Sequence, residues 1–312
     1  MDPASRLDDA DIPLGTVVDA LCADGDGLAR PAEDPACRRA LPSRDALARV
    51  VESIRSVLFP GYFGRSDLNP ETLRYHVGVT LDAVATELTA QVERGLAFAC
   101  GQDPACCRSC EGPARETTAR FLHGLPEVRR LLALDVRAAF DGDPAASSPA
   151  EAIFCYPGML ALTSHRIAHE LHLLGVPLIP RIISEDAHSR TGIDIHPGAR
   201  IGERMFIDHG TGVVIGETSV IGDRVRIYQG VTLGAKGFPR DDRGHPIKGI
   251  DRHPIIEDDV VIYSGATILG RVRIGAGSII GGNVWLTRSL SPGSRISQAC
   301  PTAEAFENGA GI

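Results

Sequence analysis

From Ile195 to Leu286 an aliphatic residue returns at every sixth position. The first run is Ile195, Ile201, Ile207 and Val213; after a slip of two it resumes at Ile215, Ile221, Ile227 and Leu233. After a loop it continues through Ile256, Ile262, Ile268, Ile274, Ile280 and Leu286. A period of six fits neither the helical 3.6 nor the strand's 2, but it fits a coil of three short flat sides, each turning one aliphatic residue inward. The spacing predicts a parallel β-helix with a triangular section. Gly202, Gly216, Gly222, Gly275 and Gly281 follow inward positions. They are expected at tight corners, for backbone torsions closed to bulky side chains.

The chain has 312 residues, 43% of them hydrophobic, enough for two ordinary domains with real cores. A net charge of -8 without a long basic run argues against nucleic acid and against an anionic membrane surface, leaving a small metabolite as the expected ligand. The acidic first residues, MDPASRLDDADIPLG, resemble no secretory leader, and no apolar stretch reaches a membrane span, so a cytoplasmic protein is expected. Its eight cysteines then read as reduced thiols. Four cluster as Cys100, Cys106, Cys107 and Cys110, whose single CxxC allows a structural zinc but more often marks plain thiols.

Residues 1–43, rich in Asp, Pro and Ala, read as a mobile leader. A helical domain follows over 44–190, then the β-helix over 191–291 and a tail over 292–312. Helical patterns run through LARVVESIRSVLF, ETLRYHVGVTLDAVATELTAQVERGLAFA and RETTARFLHGLPEVRRLLALDVRAAF, with Asn69 before Pro70 as a cap. After a loop over 141–152, PGMLALTSHRIAHELHLLG reads as a helix ending near Gly175. Its His165, His169 and His172 share one face; without an HExxH motif they read as packing residues rather than metal ligands.

The two-residue slip falls at IDHGTGVV, so Asp208 and His209 sit where the coil departs from its repeat. Asp194 stands earlier by roughly one coil less a few residues, a spacing that would set its carboxylate beside His209. An imidazole oriented by a carboxylate is a general base for a hydroxyl proton. The second interruption, the loop between Leu233 and Ile255, ends in Arg252 and His253, a cation pair suited to a carboxylate; a merely solvated basic loop fits equally.

The segments YPGMLALTSHRIAHELHLLG, DIHPGA, DHGTGVVIGET, YQGVTLGA, DRHP and IYSGATILG, in this order, resemble the serine acetyltransferase family over about residues 141–290. GGNVWLT and the long helical leader resemble its longer bacterial subtype. The resemblance implies an α+β chain, an N-terminal α-helical domain followed by a left-handed parallel β-helix. It implies transfer of the acetyl group of acetyl-CoA to L-serine, the first step of cysteine synthesis, without a metal.

In that reading His209 is the base and Asp194 its orienting partner. Asp143 and Asp208 take the substrate ammonium, Arg252 its carboxylate with help from His253. Gly234, Ser264 and Gly265 lie along the acetyl-CoA arm, with backbone N–H groups there stabilising the oxyanion. The family's short form carries a cofactor-holding lysine where Ile279 stands here, so no phosphate-binding cation is assigned. A homotrimer with active sites between subunits is expected. The terminal Ile312 implies docking to O-acetylserine sulfhydrylase, against the alternative of an untethered end. Three other readings stand beside this one: acetylation of homoserine or a sugar hydroxyl, a zinc carbonic anhydrase using His196, His209 and His253, and a non-catalytic scaffold.

Overall fold

The computed structural model describes residues 14–23, 40–100 and 110–298. Cys106, Cys107 and the tail from residue 299, with Ile312, lie outside the described residues. Cys100 is disulfide-bonded, where reduced thiols were expected. Within the leader, Leu14–Cys22 forms a helix, α1, with no buried residue.

Six further helices are described: α2 (Arg44–Leu58), α3 (Pro70–Ala99), α4 (Glu111–Gly142), α5 (Pro149–Cys155), α6 (Pro157–Leu173) and α7 (Ile179–Thr191). Their starts follow local chemistry. Ser43 accepts from the Ala46 N–H at 3.2 Å, and Asn69 caps α3 in a reciprocal capping box with Thr72, Pro70 taking the first turn. Ser148 likewise starts α5, inside the stretch read as a loop. α7 has no counterpart in the sequence reading; Pro180 lies in its first turn and Gly192, at φ 69°, ends it. Ile54, Leu88, Val92, Leu132, Ile167 and Ile179 pack together as the helical core.

The remaining strands wind a triangular coil. The first sheet stacks β1 (Asp194–Ile195), β4 (Val214–Ile215), β7 (Thr232–Gly234), β10 (Thr267–Leu269) and β13 (Trp285–Leu286). The second stacks β2 (Arg200–Ile201), β5 (Val220–Ile221), β8 (Ile255–Ile256) and β11 (Arg273–Ile274). The third stacks β3 (Phe206–Asp208), β6 (Arg226–Tyr228), β9 (Val261–Ile262), β12 (Ile279–Ile280) and β14 (Arg295–Ile296). All pairings are parallel. The six-residue series forms the core of the coil: Ile227, Leu233, Ile262, Ile268, Ile274 and Ile280 are each 0% exposed. Every such side chain contributes roughly 1.5–3 kcal/mol by leaving water.

The corner glycines serve a different purpose from the one expected. None of Gly202, Gly216, Gly222, Gly275 and Gly281 lies in the left-handed region. Crowding selects them: a Cβ on Gly202 would stand 2.7 Å from the Gly222 carbonyl carbon, and one on Gly275 2.3 Å from the Pro292 nitrogen. The left-handed turns between the second and third sheets are taken instead by Arg204, Arg224 and Asp259, at φ 58°, 57° and 61°. Stacking of one turn on the next holds them there, through bonds such as Arg224 N–H to Glu203 O at 2.8 Å and Asp259 N–H to Asp223 O at 2.9 Å.

Candidate active site

The triangular section has three corners, and the candidate residues occupy two of them. The corner between the third and first sheets carries the two-residue slip, an enlarged turn over residues 209–213. His209 sits there at φ 57°, a left-handed conformation uncommon for a residue with a Cβ, and its side chain is 73% exposed. Asp208, at the end of β3, is largely buried; one carboxylate oxygen accepts from Arg226 Nη2 at 2.9 Å and the other lies 3.8 Å from His209 Nε2. Arg226 is held between the rings of Phe206 and Tyr228, 4.8 Å from each centroid.

Asp143, just beyond α4, completes this group. It accepts from the Tyr156 hydroxyl at 2.5 Å and from the Ala145 N–H at 2.8 Å. The Tyr156 hydrogen bond, with lesser help from the Arg226 and His209 charges, holds its carboxyl below the usual range, so it stays anionic. Burial and then the Asp143 hydrogen bond raise the Tyr156 phenol, which therefore stays protonated as a donor. Two carboxylates and an exposed imidazole thus share one corner. Such a group can hold an ammonium and take a proton from a neighbouring hydroxyl.

The corner between the first and second sheets carries the second group. Arg252 Nη2 donates to Glu217 at 2.5 Å, and His253, only 7% exposed, packs over Gly216 so closely that a Cβ there would stand 2.2 Å from its Nε2. Burial pushes the Glu217 carboxyl up, but the Arg252 hydrogen bond and charge outweigh it and leave the group below its ordinary value. A cleft of about 460 Å³ opens beside Arg252 and is walled by Phe238, Ile247 and Lys248 of the long loop.

Asp194 lies on the first sheet, between the two groups. The sequence reading placed its carboxylate beside His209, but no such contact exists within one chain among the described hydrogen bonds and ion pairs. A coil here is twenty residues, so the register sets Asp194 under Val214, past the corner and onto the first sheet. There its carboxylate lies within 4.8 Å of ligand atoms of Glu185 and His188 on α7. That triad has the donors for a metal, yet Arg181 already pairs with Glu185. His196, His209 and His253 likewise do not converge in one chain, His209 standing at a different corner from the other two.

The expected donor-side residues divide in the same way. Ser264 and Gly265 lie on the His209 corner, higher in the stack, and Gly234 at the end of β7 enters the Arg252 corner. The Gly265 N–H donates to Gln229 O at 2.9 Å, so it is committed to the coil and not to an oxyanion. Tyr156, Arg226, Glu217 and Thr218 escaped sequence reasoning. A signal for Arg226 existed: the slip makes the coil twenty residues, which sets Arg226 over Phe206 and beside Asp208.

The histidine face of α6 packs the helix onto the first coil, as expected of packing residues. His165 stacks on His169, His169 Nδ1 meets Pro197 O at 2.7 Å, and His172 meets His196 edge-on. Burial keeps His165, His172, His196 and His253 below the ordinary imidazole value, His196 at about 4. The unfolded chain takes up these protons near pH 6.5 and the folded chain resists them, so stability is fully present above that pH. It is then lost progressively as pH falls from 6.5 through about 4. Urea midpoints should therefore drop between pH 7.5 and pH 5, and a flat profile over that interval would contradict the assignment.

The chain is similar to known proteins along most of its length. Residues 253–288 match the family described as bacterial transferase hexapeptide (six repeats). The chain is 58% identical over 275 residues to the plasmid serine acetyltransferase of Synechococcus elongatus, covering 87% of this chain and 86% of that one. It is 49% identical over 158 residues to the serine acetyltransferase of Mycobacterium tuberculosis, covering 51% and 65%. Among solved structures, Entamoeba histolytica serine acetyltransferase 1 in complex with L-cysteine superposes with a TM-score of 0.70 at 34% identity, over 85% of this chain and 93% of that one. The Neisseria gonorrhoeae enzyme in complex with serine gives 0.53 at 26%, over 80% and 95%. With a parallel β-helix interrupted at the two places where charged residues gather, and an identity of 58% over most of its length, the chain belongs to the serine acetyltransferase family of acyltransferases.

Proposed function

We propose that this chain transfers the acetyl group of acetyl-CoA to the hydroxyl of L-serine in an active site assembled between adjacent copies of a cyclic trimer. The observation that carries the reading is the separation of the two charged groups onto different corners. Asp143, Asp208 and His209 stand at one, and Arg252 and His253 at another, with Asp194 on the sheet between, facing α7. One strand of the first sheet, two or three residues long, lies between the corners, a span of about 7–10 Å at ~3.3 Å per residue. In a cyclic trimer every contact is heterologous, so one corner of each copy meets a different corner of the next.

The two halves are complementary. Asp143 and Asp208 suit the ammonium of serine, while Arg252 suits its carboxylate, so a zwitterionic acceptor satisfies both and a sugar hydroxyl neither. His209 takes the hydroxyl proton as the serine oxygen bonds to the thioester carbonyl carbon. The carbon–sulfur bond then breaks, and the thiolate takes the proton back from the imidazolium. Asp194 of the adjacent copy orients His209 and stabilises that cation. A thioester is already activated, so positioning and one base suffice. The acetyl-CoA arm lies between Ser264 and Gly265 of one copy and Gly234 of the next, and the cleft beside Arg252 offers apolar walls for it.

Thiol release from acetyl-CoA should be fast with L-serine, slow with homoserine and negligible without acceptor. Mixing then tests the assembly. His209→Ala and Arg252→Ala are each inactive, but unfolded and refolded together in equal amounts they should regain activity in about a quarter of the sites, because random trimers pair an intact His209 corner with an intact Arg252 corner at that frequency. Mixing His209→Ala with Asp143→Asn, two changes in the same half, should give no more activity than the two variants kept apart, because every His209 corner then carries one change or the other. Equal recovery in both mixtures, or none in either, would remove the shared site.

A further inference from the structure

Thr218 lies on the turn between β4 and β5, and the long loop returns Arg252 and His253 to it across 34 and 35 residues of sequence. Four hydrogen bonds join them. The Thr218 N–H donates to His253 Nδ1 at 3.0 Å, and the Thr218 hydroxyl lies 3.0 Å from the same nitrogen. The backbone N–H groups of Arg252 and His253 both donate to the Thr218 hydroxyl oxygen, at 2.9 and 3.1 Å.

These bonds admit one assignment of protons. A backbone N–H can only donate, so His253 Nδ1 must present its lone pair. The hydroxyl oxygen already accepts twice, which leaves its own hydrogen for the same Nδ1. The ring proton therefore sits on Nε2, and a second proton on Nδ1 would face two donors. The surroundings lock the ring in place: it lies against Gly216, where no Cβ intervenes, and Arg271 bonds the carbonyls of both Thr218 and His253 at 2.6 and 3.0 Å.

We propose that Thr218 is a positioning residue that fixes His253 as a neutral Nε2–H donor, aimed with Arg252 at the carboxylate of the acceptor. This rests on the acceptor reading given above. His253 is then neither a second base nor an imidazolium, and Arg252 supplies the only formal charge of the clamp. The charged groups facing the ring are Glu217 from the turn after β4, Arg252 from the loop and Arg271 from the turn after β10. Glu217 favours the cation; the two arginines and burial oppose it, burial most.

The test separates tautomer from activity. Nitrogen-15 spectra of the imidazole-labelled full chain, with His253 assigned by its loss in His253→Gln, should show a ring protonated at Nε2 alone from pH 8 down into the ordinary imidazole range. Thr218→Val, close in shape but lacking the hydroxyl, keeps the backbone donor to Nδ1 but leaves the Arg252 and His253 N–H groups without their acceptor, so it should broaden the ring signals and raise the KM for serine about tenfold with a smaller change in kcat. Thr218→Ser should restore both. A wild-type ring protonated at Nδ1, or a Thr218→Ser variant as impaired as Thr218→Val, would overturn the proposal. Should Thr218→Val fail to fold, the wild-type spectrum still decides. A wild type with the expected tautomer but no serine-dependent thiol release would remove the acceptor reading and leave the hydrogen-bond assignment standing.

Discussion

Replacing His209 by alanine should lower kcat at saturating serine by a hundredfold to ten-thousandfold and leave the KM for acetyl-CoA nearly unchanged. A positioned general base contributes about 10²–10⁴ in rate, and in the proposed function His209 acts on the acceptor rather than on the long donor. Its backbone requires a control, because φ is 57° and alanine is strained there. Asparagine tolerates that region, so His209→Asn should fold as the wild type does and be as inactive as the alanine variant. Asp143→Asn should behave differently, raising the KM for serine more than it lowers kcat, if Asp143 holds the ammonium, as proposed, and does not move the proton. Steady-state kinetics with each substrate varied in turn separates these outcomes. A His209→Asn enzyme with near wild-type turnover would place the base elsewhere.

The period of six carried the fold almost entirely, because inward aliphatics at fixed spacing admit one geometry. It also marked the two interruptions where the candidate residues gather, since Asp208 and His209 fall on the slip and Arg252 on the loop. Pairing within the site was not legible. Asp194 and His209 are separated by less than one coil, which on a line looks close, but on a triangle sets them around a corner from each other. Sequence spacing measures distance along the coil, whereas contact depends on the register, which the slip resets to twenty residues per turn. Thr218 was hidden for a related reason: the loop inserts enough residues before His253 to erase any short-range pattern between them. The corner glycines were found correctly but explained by torsion, when approach of the next coil is what excludes a side chain. α7 was missed because the helix was read as ending near Gly175 and nothing was read beyond it, while Pro180 occupies the first turn of α7, where a proline is tolerated.

The largest stability effect should come from the ion pair that joins the helices to the coil. Asp135 of α4 is 0% exposed and Arg166 of α6 5%. Their bidentate bonds measure 2.7 and 3.0 Å, Arg166 also donates to Gly202 O at 2.9 Å, and Asp135 accepts from the Met205 N–H at 2.9 Å. Two helices are thereby fastened to the turn that precedes β3, and hence to the corner carrying His209. Arg166→Met keeps the bulk but leaves a buried carboxylate with the Met205 N–H as its remaining donor, a loss of about 3–5 kcal/mol. The melting temperature should fall by on the order of 10 °C. Asp135→Leu combined with Arg166→Met should recover part of that loss, because an apolar pair carries no desolvation cost. It should not recover all of it, since Gly202 O and the Met205 N–H then lack partners. The single variant also has a distinct pH signature. Burial already raises the Asp135 carboxyl, and losing the arginine raises it further, so the folded Arg166→Met chain binds a proton that the unfolded chain releases. Its deficit relative to wild type should therefore shrink as the pH is lowered toward the ordinary carboxylate range. A deficit that stays constant from pH 8 to pH 5, or a double variant less stable than the single, would mean that the pair is not what fastens the helices to the coil.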